Sequence, residues 1–244
     1  MFNPTPTNSD TKTSPAYEIG NNEPTYNGES NAMPARAPQL LLLLAGLIPL
    51  CSTGCATVHE SPLEVNLRSA PPCAYDNIYP IFVLSPVDAF DVAGMDHFAE
   101  YVQSCGFRNV EISNYYDGGG SEALADRIRE IKCCNPNAQV MLTGFSSGCT
   151  IVCNALCSLE KDCIGVEGVC YIDSFMFRLT MPDPHPNNVG RVSLVYRKKN
   201  PAPTGIPRAS VYYINTENHL KTPTDARTVH EVMSHLCSMA CQRY

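Results

Sequence analysis

From residue 79 onward the spacing of hydrophobic positions alternates between two periods. Short β-branched or aromatic runs at 79–85 (YPIFVLS), 109–113 (NVEIS), 139–143 (QVMLT), 166–173 (VEGVCYID), 192–197 (VSLVYR) and 210–215 (SVYYIN) predict six strands. The first, third and fourth are nearly unbroken apolar runs, as parallel strands covered on both faces require. Between them apolar residues return at helical spacing. Met95, Phe98, Ala99 and Val102 mark one face of a helix over 92–104, and Leu124, Ala125, Ile128 and Ile131 one face of a helix over 122–133. Asp117-Gly118-Gly119-Gly120-Ser121 reads as the loop and cap before the latter. Further helices are expected over 149–159 and 225–241. The alternation predicts an α/β fold: a mostly parallel sheet of about six strands flanked by helices. The connections 174–191 and 198–209 are rich in Pro and show no helical pattern, which leaves the strand order there open.

The N-terminal part has a different texture. Residues 1–38 are Asn-, Thr-, Ser-, Pro- and Glu-rich, without apolar periodicity, and are expected to be disordered or an upstream extension. An apolar run over 40–50 then fits the core of a signal peptide within a segment 39–55. Met33 followed by Arg36 supplies a start and a positive charge before that run, so Met33 is the expected initiator. Ser52-Thr53-Gly54-Cys55 resembles the cleavage box of bacterial lipoproteins, with Cys55 as the residue that would carry the lipid and with Ser52 where that box usually has Leu. The expectation is export to the bacterial cell envelope and tethering to the membrane through a lipid anchor. Residues 56–78 read as a leader to a folded domain over 79–244.

Composition narrows the function. Seventeen Lys and Arg against 24 Asp and Glu give a net charge of −7, which provides no basic footprint for nucleic acid. No apolar run reaches the roughly 18 residues of a membrane span. No G-x-G-x-x-G follows the first strand, so a nucleotide cofactor is not expected. The 13 cysteines invite a metal reading, but Cys133-Cys134 and the helical spacing of Cys149, Cys153 and Cys157 do not match zinc-ligand patterns. A buried stripe of small apolar side chains is the expectation for those three, and no metal is expected. Export would favour some disulfides, with Cys73, Cys237 and Cys241 able to join the chain ends to the core.

The chemistry-bearing motif is Gly144-Phe145-Ser146-Ser147-Gly148, between the strand 139–143 and the helix 149–159. A sharp strand-to-helix turn needs small residues at both ends, and it lifts the central hydroxyl to the carboxyl edge of the sheet at a helix N-terminus. On that turn, the strand–helix alternation and a late histidine, residues 79–241 resemble the α/β-hydrolase family. The resemblance implies a compact hydrolase without a large cap domain and with Ser146 as nucleophile. It makes the N–H of Ser147 one oxyanion-hole donor and takes the other from the loop after the first strand, where Val87 is the choice because Pro86 has no N–H. The His-Gly pair common in that loop is absent. Of the histidines after Ser146 the resemblance selects His219, directly after the last strand, as general base. His185 is expected in a loop, and His230 and His235 on the surface or in packing of the last helix. No carboxylate follows the strand 192–197 where the family usually places its acid. Asp173, ending the strand before it, is the favoured acid, with Asp183 and Glu217 as alternatives.

The implied activity is serine hydrolysis of a small-molecule or lipid-like ester. An acyltransferase on the same scaffold is one alternative, and a surface-tethered binding or structural lipoprotein with an inactive hydrolase fold is another. Phe175, Met176, Phe177 and Leu179 stand as either an apolar lip over the site or core residues.

Overall fold

The computed structural model describes residues 75–85, 88, 91–113 and 120–241. The expectations placed on 1–38, on the apolar run, on Cys55, on most of the leader and on Val87 lie outside the described residues.

All six expected strands form: β1 (Ile78–Val83), β2 (Glu111–Ser113), β3 (Gln139–Phe145), β4 (Val166–Ile172), β5 (Val189–Arg197) and β6 (Ala209–Ile214). They make one sheet in the order β2-β1-β3-β4-β5-β6, and every neighbouring pair is parallel. The helices are α1 (Met95–Ser104), α2 (Gly120–Cys134), α3 (Gly148–Lys161), α4 (Phe177–Thr180) and α5 (Ala226–Cys241), with a 3-10 turn at His219–Lys221. Element ends differ from expectation by up to three residues, β5 starting at Val189 and α1 at Met95, and two further details differ. Helix α2 begins at Gly120, so Ser121 is already helical rather than the cap. The Pro-rich segment after β4 contains one helical turn, α4.

Because successive strand residues point to opposite faces, the sheet sorts its side chains into two cores. Phe82, Met141, Phe145, Cys170, Ile172 and Val195 meet α1 and α5 through residues such as Phe98, Val102, Val232 and Leu236. Ile81, Val83, Val140, Leu142, Val169, Tyr171 and Leu194 meet α2 and α3 through Leu124, Ile128, Val152 and Leu156. Burial on both faces explains why β1, β3 and β4 read as unbroken apolar runs. Close approach is built in at Gly168 of β4. A Cβ there would lie 2.6 Å from His235 Nδ1 and 2.8 Å from Met141 Sδ, so α5 can rest directly on the strand.

The chain runs outward from β1 to β2 and then returns to the other side of β1 with β3. Such a reversal opens a crevice at the carboxyl ends of the two central strands, the usual ligand position in an open α/β sheet.

Candidate active site

Ser146 stands at that reversal, between the end of β3 and the start of α3. Its φ is 53°, in the left-handed region that an L-residue occupies only at a cost. The turn is fixed by backbone bonds: Ser146 N–H donates to the Ile172 carbonyl at 3.0 Å, and Cys149 N–H donates to the Ser146 carbonyl at 3.1 Å. Both glycines of the motif sit against backbone, Gly148 with no room for a side chain and Gly144 with little. A Cβ on Gly148 would lie 2.3 Å from the Val83 carbonyl oxygen of β1, and one on Gly144 would lie 3.0 Å from the Cys149 backbone. The hydroxyl is therefore raised at the sheet edge while the helix start is pressed against β1. Beneath the turn the buried Cys149 thiol donates to the Gly144 carbonyl at 3.1 Å. Burial pushes that thiol far up from its ordinary range, so it stays protonated.

The loop after β1 meets the same turn. Ser85 is buried, and its Oγ lies 2.9 Å from Ser147 Oγ. The loop is held by Asp88, whose N–H donates to the Ser85 carbonyl at 2.9 Å and whose Oδ1 accepts the Ala93 N–H at 2.8 Å. Burial raises the Asp88 carboxyl above its ordinary range, against the opposing pull of the Ala93 N–H.

One strand over, Asp173 follows β4 as Ser146 follows β3, and Phe145 is the cross-strand partner of Ile172. Asp173 also has left-handed backbone, φ 42°, and its side chain is fully buried. Its Oδ2 accepts from His219 Nδ1 at 2.8 Å. Asn200 Nδ2 donates to Oδ1 at 2.8 Å, the Arg197 N–H donates to Oδ1 at 3.2 Å, and Arg197 Nε donates to Oδ2. Burial alone would raise this carboxyl, but the donors His219, Asn200 and Arg197 together bring it below its ordinary range. An ionised carboxylate only accepts, so the proton of neutral His219 sits on Nδ1 and leaves the Nε2 lone pair available.

His219 opens the 3-10 turn, where Asn218 Oδ1 accepts the Leu220 N–H at 2.9 Å. Its ring packs on Phe145 with centroids 4.7 Å apart, so the residue next to Ser146 positions the imidazole. No hydrogen bond links Ser146 Oγ to His219 Nε2 in this state; such contacts commonly tighten only around a substrate.

The remaining candidates fall elsewhere. Glu217 pairs its carboxylate with Lys199, and Asp183 is exposed. His185, in a loop as expected, is buried and bonded to Tyr171 Oη at 3.0 Å. His235 packs inside the fold, with Nε2 2.9 Å from Ser193 Oγ. Cys149 and Cys153 are buried and Cys157 half-buried, as a packing stripe, while Cys237 and Cys241 are free thiols. Phe177 is core, 4.4 Å centroid to centroid from Tyr171, whereas Phe175, Met176 and Leu179 are 58%, 51% and 65% exposed.

Arg197, Asn200 and Ser85 also touch the site residues, although none was expected to do so from the sequence. Arg197 carried a signal: a charged residue closing a buried strand needs a partner of opposite sign.

No protein-family model matches this sequence, and no curated protein sequence matches it. Among solved structures the chain is similar to an α/β serine hydrolase without a lid from Xanthomonas campestris, at 13% identity over 72% of this chain and 83% of that one, TM-score 0.46. It is also similar to a cutinase-like protein from Cryptococcus sp., at 14% identity over 68% of this chain and 96% of that one, TM-score 0.42. A third is the NocB thioesterase domain in covalent complex with a fluorophosphonate nocardicin G analogue, at 12% identity over 69% and 96%, TM-score 0.39.

Proposed function

We propose that this protein is a serine hydrolase acting on an ester or lipid-like acyl substrate through an acyl-enzyme on Ser146. One observation carries the reading. A serine held at φ 53° on a strand-to-helix turn shares a sheet edge with a buried carboxylate that accepts from a half-buried imidazole at 2.8 Å. In the first step His219 Nε2 takes the Ser146 proton as Oγ adds to the acyl carbonyl. The oxyanion forms against the Ser147 N–H and an N–H of the loop after β1, assigned to Val87. Asp173 stabilises the imidazolium, which then gives its proton to the departing alkoxide. Water attacks the acyl-enzyme with His219 again as base, releasing the acid and restoring Ser146.

The exposed Phe175, Met176 and Leu179, immediately after Asp173, support an apolar acyl group. In the same proposal the enzyme is exported to the bacterial cell envelope and tethered by lipid on Cys55, a reading supported by the apolar run over 40–50 in the sequence.

The test is hydrolysis of p-nitrophenyl butyrate by the purified protein. Ser146→Ala and His219→Ala are expected to lose on the order of a thousandfold or more in kcat/KM, and Asp173→Asn a large part of that. A Ser146→Ala variant that keeps the wild-type rate overturns the mechanism. A folded wild-type protein inert to every ester places the binding-lipoprotein alternative first.

A further inference from the structure

We propose that Arg197 is the positioning residue of this site: it holds the Asp173 carboxylate and the His219 turn together and sets, by its charge, the pH at which His219 becomes a free base. The proposal rests on the serine hydrolase reading above. Arg197 is the last residue of β5, one strand from Asp173 and paired in register with Ile214 at the end of β6. From there its guanidinium spans two structures. Nε donates to Asp173 Oδ2, the same oxygen that receives His219 Nδ1. Nη1 donates to the Glu217 carbonyl at 2.9 Å, two residues before His219. One side chain thus ties the acid to the turn that carries the base.

Electrostatics give the contact its second role. The Asp173 side chain has no solvent exposure, and a buried carboxylate without a countercharge is strongly disfavoured. A neutral His219 supplies none, so in the resting state the countercharge comes from Arg197, itself 22% exposed. When His219 takes up a proton, two cations compete for one oxygen, and the imidazolium gains less than it would from an unshared carboxylate. The other groups facing Asp173 are uncharged: the Cys149 thiol from α3 and the Tyr196 phenol from β5, both kept protonated by burial, and the Asn200 amide. Lys199 and Glu217 neutralise each other at the surface. Arg197 is the cation bonded directly to the pair.

The experiment measures the second-order rate of Ser146 modification by a small alkyl fluorophosphonate from about pH 4 to pH 9, the range that brackets an ordinary imidazole. It uses the full chain as wild type, Arg197→Gln and Arg197→Lys. For Arg197→Gln the acid-limb midpoint is expected to rise by about half to one pH unit, with the plateau about tenfold lower. Arg197→Lys is expected to keep the midpoint within about 0.3 unit, because the charge stays, while its plateau falls because an ammonium cannot reproduce the two-ended grip. A purely structural arginine would lower both plateaus without raising the Gln midpoint. A midpoint in Arg197→Gln that stays put or moves down overturns the proposal. Should Arg197→Gln fail to fold, a Lys variant with a shifted midpoint or a wild-type plateau does so. A wild-type protein not modified at Ser146 overturns the hydrolase reading itself, and this inference with it.

Discussion

At the scale of single residues, the site is defined by backbone positions that side chains resist. Ser146 and Asp173 both occupy left-handed backbone, at φ 53° and 42°, and each follows the last residue of a central strand. A non-glycine residue there costs on the order of 1–2 kcal/mol, a strain offset by the surrounding fold. Ser146→Gly is therefore expected to be more stable than Ser146→Ala, by about 0.5–1 kcal/mol in urea denaturation. Equal stabilities would show that the turn stores no strain. Ser146 was visible from the Gly144–Gly148 motif after an apolar strand, while Asp173 and His219 were singled out through the family resemblance, at positions that the apolar pattern marks as closing or following a strand. Arg197 and Asn200 were not visible as partners of Asp173. Their role depends on the register of β5 against β4, which sets Val195 beside Ile172, and no single-chain pattern encodes a cross-strand register.

Elements show the same division. The six strands and the helices of ten or more residues were legible, because each carries an apolar run or a periodic signal. The four-residue α4 was not, since one turn is too short to establish a period. In and just before it the chain divides its apolar residues: Phe177 enters the core under Tyr171, and Phe175, Met176 and Leu179 remain outside, with the Arg178 guanidinium 5.6 Å from the Phe175 ring centre. Composition could not separate those fates. Replacing Phe175, Met176 and Leu179 together by Ser should leave stability within about 1 kcal/mol, since exposed positions contribute little. The same variant should lower kcat/KM for an octanoate ester more than for an acetate ester. A stability loss well above that bound would make the segment core rather than lip. The 3-10 turn bearing His219 was likewise hidden, because it is fixed by an Asn218 side-chain bond rather than by a hydrophobic pattern.

For the whole molecule, the open parallel sheet places the proposed chemistry at one edge and a pH-sensitive contact within the core. His235 sits against Gly168 with Nδ1 buried and without a hydrogen-bond partner, and burial pushes its pKa down from 6.5 to about 3. Between those values the unfolded chain binds a proton that the folded chain refuses, so stability falls as the pH drops from about 6.5 toward 3. Asp173 adds to the loss lower down: its pKa is depressed in the fold, so its contribution is present above the ordinary carboxylate value and disappears as the pH falls through the folded one. Thermal melts across this range should show a falling Tm, and His235→Gln should flatten part of the fall between about pH 6 and 5; buried His185, whose pKa is also lowered from 6.5 by burial, contributes the remainder. An unchanged slope in that variant would assign the acid sensitivity elsewhere. The whole fold bears on one proposed property, an activated nucleophile at Ser146. Its most direct test is incubation of the full chain with a fluorophosphonate, followed by peptide mass spectrometry. A single phosphonyl adduct on Ser146 is expected, absent from Ser146→Ala and strongly slowed in His219→Ala; a folded protein that acquires no adduct, or acquires it at another residue, would show that Ser146 is not the nucleophile.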